Sequence, residues 1–375
     1  MLTKDIQFMK RALALAKKGI GTVSPNPLVG AVLVKDGIII GEGYHEKYGE
    51  AHAEVNAINS ATDSPEGATL YCTLEPCCHT NKQTPPCSNL VISSKIKRVV
   101  ICNLDPNPYV AGKGVKQLEE AGIEVVTGVL KSKGLKVNEV FFKYITTSMP
   151  FINIKYAQTL DGKIAVNSGD SKWISDESAR TKVHEMRLKY DAVLIGRNTL
   201  NKDNAKLNIR MGIDNKGKVP YRVIIGSLRN INQDADILND EFTDKTVIIT
   251  SIEDYQKADN DFVKKITDKK IKMVFASIRE DRIDLEEAFK KLGEMKITSI
   301  LVEGGAKVIS TLLKEELYDK ISCFICPKLA GNGPSYYENS EINEMSNAVK
   351  LQDVSYEVIN DQVLMTAYRT SKKDL

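Results

Sequence analysis

Between positions 52 and 87 the chain carries His52, Glu54, Cys77, Cys78, His79 and Cys87, in the stretches "HAEVNAI" and "TLEPCCHTNKQTPPC". All are residue types that bind transition metals or move protons. A catalytic zinc ion takes three protein ligands from His, Cys or carboxylate and keeps a fourth position open for water. A histidine at the start of one helix and two cysteines at the start of another supply such a triad, and Glu54, two residues after His52, falls beside the water. The competing readings are a surface pair for a lone His-x-Glu and a disulfide framework for the cysteines. Seven cysteines is an odd number, and four of them lie between positions 72 and 87, which suits a metal site better than paired disulfides. Cys72 and Cys102 fall on strand patterns, and so do Cys323 and Cys326 of "DKISCFICPKL"; the four read as core residues.

The elements that must position these groups follow from hydrophobic period. At 375 residues the chain exceeds what one core serves, so two domains are expected. "MLTKDIQFMKRALALAKKG" reads as an amphipathic helix with Ile6, Met9, Leu13 and Ala16 on one face and Gly19 at its end, and it lacks the apolar core of a signal peptide. The Asp36-Gly37 step joins two β-branched runs as a hairpin. A helix at "AHAEVNAINSA", strands at "ATLYCTLEPC" and "IKRVVICNLDPN", and a helix and strand in "GVKQLEEAGIEVVTGVL" complete an alternation expected of a three-layer α/β domain over residues 1–145. Pro150 opens a second series, in which "DAVLIG", "YRVIIG", "KTVIIT", "IKMVFA" and "SILVEGG" are short buried-type strands. The second domain is therefore expected over 151–375, and its polar segment "NKDNAKLNIRMGIDNKGKVP" as a mobile loop.

Composition limits the partners. A formal net charge of +3, with no run of Lys and Arg interleaved with aromatics, implies neither nucleic acid nor membrane. No apolar run reaches the roughly 20 residues that span a bilayer. A cytoplasmic protein with reduced thiols is expected.

His-x-Glu followed by Pro-Cys-x-x-Cys is the signature of zinc deaminases, in which the glutamate shuttles protons and is not a ligand. "HAE" and "EPC" match it, whereas nine residues separate Cys77 from Cys87. With "PNPLVGAVLVKDG" and "DPNP", the delayed "TPPC" resembles the deaminase half of the bifunctional riboflavin-biosynthesis family. The resemblance implies a cytidine-deaminase-like α/β/α domain with zinc on His52, Cys77 and Cys87, Glu54 as acid and base, and Asn26, His45 and His79 lining the substrate pocket. The loop "HTNKQTPPC" is one residue longer than the family's usual His-x-Gly-Lys/Arg-Thr-Pro-Pro-Cys. Cys78 thus stands as an alternative to Cys77, and "EPC" favours Cys77.

The second half, through "IKYAQTLDGKIA", "GDSKWIS", "AVLIGRNTLNKDNAKLNIR", "LVEGGAKVISTLL" and "CPKLAGNG", resembles the reductase half of the same family, an α/β domain similar to dihydrofolate reductase. "ILVEGGAKVISTLL" reads as strand, Gly-Gly turn and helix, an arrangement that offers backbone N–H groups to a phosphate. The resemblance implies NADPH contacts at Ala157, Trp173, Thr199, Asp203, Ser227 and the turn Gly305, Ala306, Lys307, Val308, Ile309, Ser310 and Thr311. It implies substrate contacts at Ser171, Arg187, Leu207, Arg210 and Glu303. Ala205 and Asn208 replace the Pro and Thr usual in that loop. The implied activities are zinc-dependent deamination of a phosphoribosylated diaminopyrimidine, then NADPH-dependent reduction of the ribosyl group to ribityl. The partners expected are small-molecule phosphoribosyl pyrimidines and further copies of the chain. A nucleic-acid base deaminase would want a basic groove with stacking aromatics, and a regulator without activity would need no proton shuttle at Glu54.

Overall fold

A computed structural model describes residues 2–78, 85–337 and 342–370, which fall into two compact units, Met1–Ser148 and Met149–Leu375. The first contains α1 (Leu2–Ala16), β1 (Gly30–Lys35), β2 (Ile38–Tyr44), α2 (Ala53–Asn59), β3 (Thr69–Leu74), α3 (Cys87–Ser93), β4 (Arg98–Asn103), α4 (Lys113–Glu120), β5 (Glu124–Thr127), α5 (Lys131–Val137) and α6 (Glu139–Thr147). Its sheet runs β2-β1-β3-β4-β5. β1 is antiparallel to β2 and β3, and β3, β4 and β5 are parallel.

Because strand side chains alternate, the sheet has two apolar faces. Ala31, Leu33, Leu70, Cys72 and Ile101 pack with Ala53 and Ala57 of α2, Val91 of α3 and Leu118 of α4. Val32, Val34, Tyr71, Val100 and Cys102 pack with Met9, Ala12 and Leu13 of α1. The β1–β2 turn takes positive φ at both Asp36 (51°) and Gly37 (81°), the condition of a type I′ hairpin.

Two features set the spacing of the layers. A Cβ at Gly41 would lie 2.2 Å from the Ala57 carbonyl oxygen, and one at Gly43 would lie 2.3 Å from the Ala57 nitrogen; α2 therefore touches β2 backbone to backbone. On the other face, Arg98 grips the Asp5 carboxylate with two bonds of 2.9 and 3.1 Å, and the Tyr71 hydroxyl donates to Asp5 at 2.8 Å. This ties α1 to β3 and β4. Hydrogen bonds from Arg98 hold the Asp5 carboxyl below its ordinary value, against the upward push of burial.

The second unit contains β6 (Phe151–Thr159), α7 (Glu177–Lys189), β7 (Ala192–Gly196), α8 (Arg197–Asp203), β8 (Tyr221–Ile225), β9 (Thr246–Thr250), α9 (Ile252–Gln256), α10 (Asn260–Asp268), β10 (Lys272–Phe275) and β11 (Ile278–Arg279). It continues with β12 (Arg282–Ile283), α11 (Leu285–Glu294), β13 (Ser299–Gly304), α12 (Ala306–Lys314), β14 (Lys320–Cys326), β15 (Leu351–Ile359) and β16 (Gln362–Arg369). The main sheet has the order β10-β9-β8-β7-β13-β6-β14-β16-β15. It is parallel from β10 to β14, and β16 and β15 add antiparallel strands at one edge. Strands buried on both faces need apolar side chains on both, which is why β7, β8 and β9 read as continuous Val, Ile and Leu runs. Parallel order also delivers Thr159, Gly196, Ile225, Thr250 and Gly304 to one edge of the sheet, where α/β folds bind ligands. Between Asp203 and Tyr221 the chain has no regular element. Among the described residues no helix is long and apolar enough to cross a membrane.

Gly43→Ala should push α2 off β2, costing about 1–3 kcal/mol as overpacking does, and should weaken metal retention because α2 opens with His52 and Glu54. Thermal unfolding and metal analysis of the variant check both effects. Arg98→Ala leaves the Asp5 carboxylate buried without its cation and should cost about 3 kcal/mol. Since the Asp5 pKa is lowered on folding, its contribution is complete above the ordinary carboxylate range and is lost as pH falls through the lowered value. Acid unfolding of the wild type and Asp5→Asn should therefore converge at the lowest pH.

Candidate functional site

In the first unit, β3 ends at Leu74 and α2 begins just after His52, and the two ends meet. His52 Nδ1 lies 3.5 Å from Cys77 Sγ and 3.4 Å from Cys87 Sγ. The three ligand atoms all fall within 4.8 Å of one another. Only Cys87 opens a helix, α3; Cys77 sits in the irregular segment after β3, a correction to the expectation that both cysteines start one helix. Pro86, extended at φ −60° and ψ 129°, stands immediately before α3, so the helix begins at Cys87. The Cys87 N–H donates to Cys77 Sγ at 3.4 Å. Glu54, in the first turn of α2, is 3 % exposed. Burial, and then the Glu54 charge, push the Cys72 thiol well above its ordinary value, so Cys72 stays protonated in the core.

The donors fit zinc. Zn–S near 2.3 Å and Zn–N near 2.0–2.1 Å at tetrahedral angles put N and S on one ion roughly 3.6 Å apart, close to the two separations found. Cys78 forms no part of this group; burial raises its thiol pKa, and Glu75 and Cys77 add to the rise.

Around the metal-ligand group, the hydrogen bonds have one consistent assignment. His45 Nδ1 is 3.1 Å from the Ala51 carbonyl, which can only accept, so Nδ1 carries the proton and Nε2 accepts from the Asn26 amide at 3.1 Å. Burial lowers the His45 pKa, keeping the ring neutral. The His45 and His52 rings meet edge to face at 5.3 Å. Asn138 holds the Asn26 segment by bonding both the N–H (2.8 Å) and the carbonyl (2.9 Å) of Leu28. His79 lies outside the described residues.

One residue of the "EPC" motif has a role that sequence reasoning missed. The Glu75 carboxylate accepts from the backbone N–H groups of Asp105, Gly112 and Val115 at 3.2, 3.0 and 3.1 Å. It fastens the loop after β4 to the segment that ends in Cys77. Burial pushes the Asp105 carboxyl up to about 6. The motif itself contained the signal, since a buried carboxylate beside a ligand needs several donors.

In the second unit a charge cluster lies on the sheet. Arg187 of α7 places Nε 2.6 Å and Nη2 2.8 Å from the two carboxylate oxygens of Glu303, at the end of β13, and Nη1 2.7 Å from the Asn208 carbonyl. Val302 pairs with Ile154, so Lys155 stands next to Glu303. Burial lowers the Lys155 pKa while Glu303 works against the loss of charge. Burial opposes both charges of the Arg187–Glu303 pair, and each partner offsets it for the other, leaving Arg187 raised and Glu303 lowered. Arg187, expected from the sequence as a substrate contact, is thus bound bidentately to Glu303, another expected substrate contact. His184 Nδ1 accepts from the Arg210 N–H at 3.0 Å, and burial and Arg187 bring the His184 pKa down to about 4. Arg187 and His184 together hold the loop that carries Leu207 and Arg210. The Leu207 side chain itself is 2 % exposed in the core.

Trp173 is 64 % exposed, and the Arg180 guanidinium lies 4.4 Å from its ring centre; it is not a core residue. Ser171 lies in the same irregular segment, between β6 and α7. Asp161 joins that segment to the one after β14 by accepting from Thr159 Oγ1 (2.5 Å) and the N–H groups of Ala330 (3.1 Å) and Gly331 (2.8 Å). Ala157 lies on β6 facing Phe324, and Thr199 and Asp203 on α8. A Cβ at Gly304 would lie 3.3 Å from the Thr199 methyl, so Thr199 packs on the Gly304–Gly305 turn. Gly305 precedes α12 with φ +87°. Of that turn, Ile309 is buried in the core, and Ala306 and Lys307 are exposed. Ser227, Lys307, Val308 and Thr311 line one cavity of about 510 Å³. Cys323 is buried in the core, and Cys326 Sγ donates to Gln362 Oε1 at 3.1 Å. None of the seven cysteines is joined in a disulfide.

Comparison with known proteins gives both halves a relationship. Residues 2–103 match the family model of the cytidine and deoxycytidylate deaminase zinc-binding region. Residues 150–365 match that of the RibD C-terminal domain. The riboflavin biosynthesis protein RibD of Actinobacillus pleuropneumoniae is 42 % identical over 363 residues, covering 96 % of this chain and 94 % of its own. A solved structure of Acinetobacter baumannii RibD superposes with a TM-score of 0.88 at 33 % identity, over 99 % of this chain and 100 % of that one. A Thermotoga maritima structure described as a diaminohydroxyphosphoribosylaminopyrimidine deaminase/5-amino-6-(5-phosphoribosylamino)uracil reductase superposes at 0.85, with 39 % identity over 98 % and 99 % of the two chains. Similarity at this level, over the full length and through both halves in order, means that the chain belongs to the RibD family of riboflavin biosynthesis proteins, bifunctional deaminase/reductases that join a zinc-binding, cytidine-deaminase-like half to an NADPH-dependent, dihydrofolate-reductase-like half.

Proposed function

We propose that the first unit hydrolytically deaminates 2,5-diamino-6-(5-phosphoribosylamino)pyrimidin-4-one and that the second reduces the ribosyl group of the product to ribityl. The observation that carries the first assignment is the approach of His52 Nδ1 to two cysteine sulfurs beside the buried Glu54. His52, Cys77 and Cys87 would hold zinc. A zinc ion in that position supplies Lewis acidity, which brings the pKa of a water close to neutrality. Glu54 takes the proton released as water adds to the ring carbon that bears the amino group. It passes protons to the ring nitrogen and then to the departing amine, which leaves as ammonia. Asn26 fixes one edge of the substrate, and the neutral His45 ring, both of whose nitrogens are engaged, holds the Asn26 amide in place.

In the second unit NADPH supplies the hydride. The chain has to hold the open-chain sugar against it and exclude water. The Arg187–Glu303 pair, with Lys155 alongside, forms a charged floor, and Arg210 is the cation left for the substrate phosphate. A cytoplasmic location and association into homo-oligomers belong to the same reading.

Glu54→Gln should keep the metal and abolish ammonia release, because an amide hydrogen-bonds but does not shuttle protons. Cys77→Ser should strip zinc, while Cys78→Ser should retain about one equivalent. Metal analysis with an ammonia assay reads all three, and the opposite cysteine pattern would move the ligand to Cys78. Arg187→Lys keeps a positive charge but loses the two-pronged fit to Glu303. It should lower kcat/KM for reduction about tenfold or more and leave ammonia release unchanged. Equal loss of both activities would show that the two sites are not independent.

A further inference from the structure

Resting on the reading of the second unit as a reductase and of Trp173 as a contact of its cofactor, we propose that Asp161 and Lys328 are positioning residues, which seat the segment carrying Ser171 and Trp173 against the segment after β14. Little else holds that segment. From Leu160 to Ser175, between β6 and α7, no residue is buried and none lies in a helix or strand. Leu160 and Trp173 are themselves 68 % and 64 % exposed, so burial of apolar surface, the main force on the rest of the unit, contributes little here. A stretch fastened by neither core nor ladder opens locally at small cost. Polar ties therefore decide where Trp173 stands.

Those ties converge on the segment that follows β14. The Asp161 carboxylate accepts from the N–H groups of Ala330 and Gly331, and Lys328 donates from Nζ to the Trp173 carbonyl. One side chain from each segment thus reaches the other. Backbone bonds run the same way, from the Leu160 N–H to the Lys328 carbonyl (2.8 Å) and from the Ile164 N–H to the Pro334 carbonyl (3.0 Å). Gly333 permits the approach, since a Cβ there would lie 1.8 Å from the Ala165 carbonyl oxygen. From α8, Lys202 donates to the Gly169 carbonyl. Hydrogen bonds from Thr159 first, and then from the Ala330 and Gly331 N–H groups, bring the Asp161 carboxyl down to about 2, so the acceptor is a full carboxylate near neutral pH. Charged acceptors and donors make the stronger bonds of such a set. Trp173 is thereby fixed through its backbone while its ring stays open. The Arg180 guanidinium lies 4.4 Å from the ring centre and donates to the Ser175 carbonyl at 2.9 Å, a cation–π contact that supports the ring from one side.

Trp173 is the only tryptophan of the chain, so the intrinsic tryptophan fluorescence of the full-length, zinc-loaded protein reads this one side chain. In Asp161→Ala and Lys328→Ala without nucleotide, emission anisotropy should fall and quenching by acrylamide should rise relative to the wild type. Saturating NADP+, which does not absorb the tryptophan emission, should restore both. In steady-state reduction of the deaminated intermediate, KM for NADPH should rise about tenfold. The kcat at saturating NADPH should fall less than about twofold, because bound cofactor reseats the segment, and ammonia release should stay as in the wild type. Asp161→Asn keeps one of the two acceptor oxygens and should fall between; if Asp161→Ala does not fold, Asp161→Asn and Lys328→Ala give the same readouts. Wild-type anisotropy in all the variants, or a more mobile Trp173 with an unchanged KM for NADPH, overturns the proposal. A wild type that oxidises NADPH normally with no change in Trp173 emission on adding nucleotide overturns the contact reading of Trp173 and the proposal with it. A wild type whose emission responds to nucleotide but that oxidises no NADPH overturns the reductase reading and leaves the seating of Trp173 standing.

Discussion

Helix α2 and strand β2 meet with no side chain between them, because at Gly41 and Gly43 a Cβ would fall within 2.3 Å of the Ala57 backbone. The metal-ligand group depends on that contact. α2 has only seven residues, too few to be stable alone, so its position comes from packing. With α2 seated, His52 at its start reaches the segment after β3 and Glu54 is turned inward, 3 % exposed. A helix standing one side chain further out would separate His52 from both sulfurs by far more than a single ion can bridge.

The same unit shows how the irregular segments around a site are kept in place. Segments without helix or strand leave backbone N–H groups that need partners. Glu75 provides for three of them with one carboxylate, and Asn138 satisfies both backbone groups of Leu28. Each side chain is buried, at 3 % exposure, and each anchors a stretch near Cys77 or Asn26. Precision in the metal-ligand group therefore comes from polar side chains that take no part in the chemistry.

The second unit solves a related problem with charge. A guanidinium and a carboxylate buried together are stable only when both are well paired, and Arg187 and Glu303 meet that condition bidentately. The pair links α7 to the end of β13, and its bond to the Asn208 carbonyl extends the link to the loop after α8. Asp254 acts comparably at β8 and β9. In each case the carboxylate is bound by the protein itself and links separate segments of the chain.

What the sequence determined by itself was the chemistry and the local structure. His52, Glu54 and the Pro-flanked cysteines identified a zinc site, because few other chemistries need those types at that spacing. Apolar runs of Val and Ile marked the parallel strands, and Asp36-Gly37 marked a type I′ turn, since both signals come from neighbours along the chain. Tertiary structure alone decided which cysteine stands with His52 and Cys87, because Cys77 and Cys78 differ by one position and only the path of the chain after β3 separates them. It also decided that Arg187 meets Glu303, 116 positions away, and that Trp173 lies exposed under Arg180 instead of in the core. Pairings between distant segments depend on sheet order and register, which local periodicity does not encode.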